Sequence, residues 1–196
     1  MDMIEKVRST LGTYDGNDVR ALLKADHDVL RELAQQLADA GSSPQRRSLL
    51  GKLKPLLVAH SRAEEQSVYV PLTQVRDSPD ARLAGSEGAV EHFLADTVLA
   101  RLDAAHDAST DMWRAHAKVL HEMLEHHIKE EESDVFEALG EHFSADERSA
   151  MAANFARLRD ERLAAETGST RKGNGQAARK PRAASDAGRV RRTHAA

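Results

Sequence analysis

The sequence predicts an all-α protein: an up-down-up-down bundle of four helices, with an additional C-terminal helix packed against it and a disordered basic tail behind. Three observations carry this. Apolar residues recur at helical spacing over long segments, and no stretch alternates apolar and polar residues as a half-buried strand would. β-branched content is low, while Leu and Ala are abundant. Capping and stopping residues divide the chain into long helical segments with short connections, which place successive helices antiparallel.

Taken in order, Asp2 to about Thr10 reads as a short helix stopped near Gly12 and Gly16. Asn17 or Asp18 caps the first bundle helix, which carries the stripe Val19, Leu23, Leu30, Ala34 and Leu37 and ends at Gly41. "SSPQ" supplies Ser43 as the next N-cap, with Pro44 at the first helical position. That second helix runs to about Pro71, with a kink expected at Pro55. Its stripe is Leu49, Leu53, Leu56, Leu57, His60, Glu64 and Val68. "DSPD" and Gly85 punctuate the next connection, and the third helix is expected from about Ser86 to Ala105 through Ala89, His92, Leu99 and Leu102. Ser109 or Thr110 caps the fourth, which continues through Trp113, His116, Leu120, Met123, Leu124, His127, Glu131 and Val135 to stop at Gly140. "SADE" makes a capping box of Ser144 and Glu147 for a fifth helix reaching about Ala165.

Composition narrows the chemistry. With no cysteine, disulfides, thiolate metal sites, iron–sulfur clusters and cysteine nucleophiles are all excluded. Ten histidines form the compositional outlier. No apolar run approaches a membrane span and the N-terminus lacks a signal-peptide core, so a cytoplasmic protein is expected. From Thr167 onward eight basic residues face one acidic residue, Asp186, a charge of +7; with the whole chain at -4, the remainder carries -11. This segment has almost no large apolar side chains and cannot offset the entropy of ordering. Domain organisation is therefore read as a helical bundle over 1–166 and a disordered tail over 167–196. No Ser-His-Asp arrangement or dinucleotide-binding glycine motif is visible, and "GKLKP" at Gly51 lacks phosphate-loop spacing.

Two related phrases, "HSRAEEQ" from His60 and "HHIKEEE" from His126, carry the chemistry. Residues four apart on a helix project from one face, about 6 Å apart along the axis. His60 with Glu64, and His127 with Glu131, are therefore pairs, and both fall on core-facing stripes. His27 and His92 fall on the stripes of the first and third helices. One HxxxE pair is a weak signal; two on alternating helices of one bundle are much stronger. Buried carboxylates are costly unless paired or metal-bound. Four imidazoles and two carboxylates converging in a bundle core suit one or two divalent transition metals. His106, His116, His121, His126, His142 and His194 read as ordinary histidines. His116 shares the stripe of His127 but lies three turns away, about 16 Å.

The phrases "LLKADHDVL", "HSRAEEQSVYVP", "VEHFLAD" and "HHIKEEESDVF", in that order from Val19 to Leu139, resemble hemerythrin-like HHE cation-binding domains, and the fifth helix and basic tail resemble those of bacterial members. The resemblance implies a four-helix bundle holding a non-heme diiron centre. His27, His60, Glu64, His92, His127 and Glu131 would be its ligands. Glu64 and Glu131 would bridge, with an oxo or hydroxo group derived from water completing the bridge. Aligning Tyr69 with Phe136 makes His127 and Glu131 the partners rather than His126 and Glu130, and the helical stripe independently agrees. Residue types alone do not separate iron from manganese or zinc; the resemblance favours iron. One departure stands out. Oxygen-carrying hemerythrins have a second histidine four residues after the third-helix ligand, where this chain has Asp96. Asp96 has three open placements: metal ligand, partner of a ligating imidazole, or solvent. Fewer imidazoles should favour the ferric state and weaken reversible O2 binding.

The functions implied are binding, sensing or scavenging of a small oxidant (O2, nitric oxide or peroxide), or a diiron enzyme with catalase-like peroxide disproportionation. Iron sensing or storage, or a regulatory module tethered by its tail, are further readings. The tail would contact nucleic acid or an anionic surface through charge alone, since no aromatic residue interleaves with its basic ones. A metal-free helical interaction module is the bland alternative.

Overall fold

The computed structural model of the chain describes residues 17–176. Helix α1 is Val19–Asp39. Helix α2 is Ser43–Glu64, prolonged by a π-helical turn, Glu65–Tyr69, and a last α-turn, Val70–Thr73. Helix α3 is Pro79–Ala104. Helix α4 is Asp111–Glu130, prolonged by a second π-helical turn, Glu131–Val135, and by Phe136–His142. Helix α5 is Ala145–Gln176. No strand occurs among the described residues. The first four helices close into a bundle in which each packs on the next and α4 packs back on α1; α5 lies in the groove between α1 and α2.

Local chemistry sets the helix ends. Asp18 caps α1 by accepting from the Arg20 N–H at 3.1 Å, and its carboxylate also takes Arg148 of α5 at 2.8 Å. These arginines hold the Asp18 carboxyl well below the usual range. Ser42 takes the N-cap of α2, one residue earlier than expected, because Ser43 already has helical backbone and Pro44 follows in the first turn. Thr110 caps α4, accepting from the Trp113 N–H at 3.2 Å. Ser144 and Glu147 form the reciprocal capping box of α5, with bonds of 2.8 and 3.3 Å.

α3 departs from the sequence expectation. It begins at Pro79 behind the N-cap Ser78, seven residues before Ser86, and Gly85 lies inside the helix rather than in the connection. The two glycines serve close approach: a Cβ on Gly88 would lie 2.4 Å from the Tyr69 ring, and one on Gly85 would lie 2.9 Å from the Tyr69 carbonyl oxygen. The buried stripe of α3 is therefore Ala81, Gly85, Gly88, His92, Ala95, Leu99 and Leu102, and Ala89, expected inside, is exposed. α2 runs through Pro55 as one helix. α5 continues as helical backbone to Gln176, past the expected end near Ala165. The expected N-terminal helix and the tail beyond Gln176 lie outside the described residues. No described helix is long and apolar enough to cross a membrane.

The core has two apolar regions. One includes Leu30, Ala34, Leu53, Leu57, Leu99, Trp113, Leu120 and Leu124. The other includes Val19, Leu23, Val68, Tyr69, Leu72, Val135, Leu139 and Phe155. Residue order along each helix places a layer of buried polar side chains between them: His27 follows Leu23 and precedes Leu30, and His127 follows Leu124 and precedes Val135.

Candidate metal centre

That layer is built from one position on each of α1 and α3 and one HxxxE pair on each of α2 and α4. His27, His60, Glu64, His92, His127 and Glu131 are all buried, with exposures of 0, 3, 0, 3, 6 and 2%. Burying six ionisable groups between two apolar regions is strongly unfavourable unless they share partners. Their ligand atoms form two groups, His27–His60–Glu64–Glu131 and Glu64–His92–His127, each with all atoms within 4.8 Å of one another. Glu64 belongs to both groups. Glu131 also spans them, its Oε2 lying 3.1 Å from His27 Nε2 and 3.6 Å from His127 Nε2.

The outer nitrogen of every one of these imidazoles meets a carboxylate. His60 Nδ1 lies 3.3 Å from Asp26, His92 Nδ1 3.3 Å from Glu65, His127 Nδ1 2.7 Å from Glu91, and His27 Nδ1 3.2 Å from Glu132. These contacts assign the proton to Nδ1 and leave the inward Nε2 lone pair for another partner. The ring of supports is closed. α1 supplies the carboxylate for the imidazole of α2, α2 for α3, α3 for α4, and α4 for α1. It also repeats: Asp26-His27 with His60, Glu64 and Glu65 corresponds to Glu91-His92 with His127, Glu131 and Glu132. α5 joins the ring through Arg159, whose guanidinium donates to Asp26 at 2.7 Å.

With neutral imidazoles whose Nδ1 donates outward, the interior holds acceptors facing acceptors, although without metal, burial, which lowers His27, is outweighed by Glu131 and Glu132, which raise it. His92 Nε2 and His127 Nε2 are 3.2 Å apart. Glu64 Oε1 and Oε2, Glu131 Oε2 and His27 Nε2 are buried without a hydrogen-bond partner. This donor set, two carboxylates between two pairs of imidazoles, fits one or two divalent cations held in common. In the metal-free protein burial and the neighbouring Glu131 charge push the Glu64 carboxyl well above the usual range. Against burial, the Glu64 carboxyl and the His27 and His127 imidazoles hold Glu131 well below it. Burial lowers His92 to about 4, so this imidazole stays neutral at neutral pH.

The π-helical turns follow directly on the two HxxxE pairs. Their signature bonds run from Val70 N–H to the Glu65 carbonyl and from Phe136 N–H to the Glu131 carbonyl, five residues back. Each extra residue advances the helix face, so that Tyr69 and Phe136 both reach the layer. Phe136 stacks on His27 at 6.4 Å. Tyr69 instead donates its hydroxyl to Glu131 Oε1 at 3.3 Å and lies beside His92. Burial and the adjacent Glu131 and Glu64 charges raise the phenol well above its usual range, which keeps its proton available.

Asp96 takes none of its three anticipated placements cleanly. It accepts from Arg62, which also donates to Glu65 at 2.5 Å, so it acts on His92 only through two intermediaries. Its distance from the layer follows from that pairing: the Arg62 cation draws the carboxylate to the wall of a cleft of about 590 Å³ lined by Glu65, Tyr69, Val70 and Phe93. Sequence reasoning missed Asp26, Glu65, Glu91 and Glu132. Their signal was nonetheless present, since each is the chain neighbour of a candidate ligand. A neighbour on a helix sits about 100° round the axis and so reaches toward the adjoining helix.

A helical bundle with a buried histidine–carboxylate layer defines a class of protein able to hold cations in its core. The hemerythrin HHE cation-binding domain matches residues 18–139, and the chain belongs to that family. Comparisons with curated proteins and with solved structures returned no match.

Proposed function

We propose that His27, His60, Glu64, His92, His127 and Glu131 hold two iron ions, and that the protein uses them to bind, sense or scavenge a small oxidant such as O2, nitric oxide or peroxide. The observation that carries this reading is the unpartnered pair of Glu64 oxygens, fully buried and shared by both ligand groups. A carboxylate so placed has no structural role that an amide or a leucine would not fill at lower cost. Iron would supply open coordination positions and one-electron redox steps. The residues do the rest. The four outer carboxylates fix the imidazoles, the apolar regions on either side exclude water, and Tyr69, in the inner wall of the cleft, donates a hydrogen bond to Glu131. The cleft gives small molecules an approach from solvent to that wall.

Metal analysis of aerobically purified protein, with an absorption spectrum, tests this. About two irons per chain, lost in His60→Ala and His127→Ala, is the expected result. Zinc, or no metal, overturns it. Dioxygen release from added peroxide in proportion to iron content would mark the protein as an enzyme rather than a binder.

A further inference from the structure

The doubled phrase "HHIKEEE" produces a second pair that the buried layer does not use. His126 and Glu130 are rotated to the outside of α4, with His126 Nε2 3.2 Å from Glu130 Oε1. Across the groove on α3 stands Glu91, and ligand atoms of Glu91, His126 and Glu130 all lie within 4.8 Å of one another. Behind them opens a cavity of about 80 Å³. Glu87, Glu91, Glu130 and Asp134 line it toward solvent, and Tyr69, His127 and Glu131 line it within. No lysine or arginine is among its lining residues. Its inner lining includes Glu131, 98% buried, whose Oε2 has no hydrogen-bond partner. Glu91 joins the two ends: one oxygen holds His127 Nδ1 at 2.7 Å, and the same carboxylate belongs to the outer group.

We propose that Glu91, His126 and Glu130 form a capture site for a hydrated divalent metal ion, which passes through this acidic cavity to His127 and Glu131. The proposal rests on the buried metal centre argued above. A share of liquid volume near 30 Å³ per water gives the cavity room for an ion that has kept part of its hydration. Four carboxylates lining the cavity toward solvent concentrate cations there and raise their rate of arrival. The transfer involves no redox step, only the exchange of bound water for carboxylate and imidazole. The larger cleft on the other side of Tyr69 lacks this character: Arg62 stands in its wall, and Val70 and Phe93 are exposed there. Tyr69 lines both openings, but of the six buried groups only His127 and Glu131 line either, and both line the acidic one.

The test is the rate at which metal-free full-length protein takes up Co2+, followed by stopped-flow absorption of the bound ion, and repeated with Fe2+ without oxygen. The double variant His126→Ala/Glu130→Gln removes two of the three outer groups but touches none of the six buried ones. It should take up cobalt roughly tenfold more slowly at low ionic strength, the size of effect expected from electrostatic focusing, and reach the wild-type content. The difference should shrink in high salt. His116→Ala/Glu122→Gln, which removes the same groups elsewhere on α4, should behave as wild type. An unchanged rate in the first variant, an equal slowing in the second, or a reduced final content in the first would each overturn the capture site. If the wild-type protein takes up no cobalt at all, the buried-centre reading fails first, and this one with it.

Discussion

Replacing Arg159 with methionine should expose how far α5 supports the candidate centre. Arg159 donates to Asp26 at 2.7 Å, and Asp26 in turn meets His60 Nδ1 at 3.3 Å. The Asp26 side chain is 4% exposed and that of Arg159 15%. Removing one partner of a fully buried ion pair costs about 3–5 kcal/mol, because the other charge is stranded. Two features reduce this here: the arginine keeps some contact with water, and Asp26 retains the imidazole as a donor. A loss of about 2 kcal/mol is expected, or about 4–8 °C in Tm for a chain of this size. The assay is urea unfolding of the metal-free protein. Asp26→Asn in the Arg159→Met background removes the stranded charge, so the double variant should recover about 1–2 kcal/mol relative to additivity. A single-variant loss below about 0.5 kcal/mol, the range of ordinary surface substitutions, or strict additivity, would refute the argument that Arg159 neutralises a charge within the ring.

Three further outcomes are expected. Glu132→Gln keeps the shape of the support behind His27 but removes its charge, and metal affinity measured by chelator competition should fall about 10–100-fold; unaltered affinity would show that the outer carboxylates do not brace the ligands. Gly88→Ala places a methyl 2.4 Å from the Tyr69 ring, so an overpacking cost of about 1–3 kcal/mol outweighs the helix-propensity gain of about 1 kcal/mol, and the near-ultraviolet tyrosine signal should change; a raised Tm with that signal intact contradicts the close-approach reading. Asp18 is held below its unfolded value of 3.8 by Arg20 and Arg148, so its stabilising contribution is full above that value and drains away as pH falls further. Asp18→Asn should therefore flatten the acid limb of the stability curve, measured by thermal unfolding across pH, and an unchanged acid limb would count against it.

The bundle was legible because helical stripes and caps are local signals. The inward direction of the six candidate ligands was legible for the same reason, since i,i+4 geometry is independent of what lies opposite. What escaped the sequence was relational. Gly85 looked like part of a connection because a glycine carries no apolar signal, and only the approach of Tyr69 explains why the helix needs Gly85 and Gly88. The π-helical turns leave no mark in a stripe that is phased at 3.6 residues per turn. Asp26, Glu65, Glu91 and Glu132 looked like ordinary solvated charges until α2, α3, α4 and α1 stood beside them. Asp96 was pulled aside by Arg62, a pairing between helices that no spacing along one helix reveals.

The closed circuit of carboxylates bears on how such a protein matures. The α1–α2 hairpin alone holds two of the imidazoles, yet the group that steadies His27 arrives only with α4, and Glu65 has no imidazole to hold until α3 docks. A partly synthesised chain therefore presents loose ligands, and firm retention of a cation waits until the last helix of the circuit has closed. Bound metal would then act as a latch on a finished bundle rather than a seed for it, favouring the closed form by mass action and making chelation a way to loosen all four helices together.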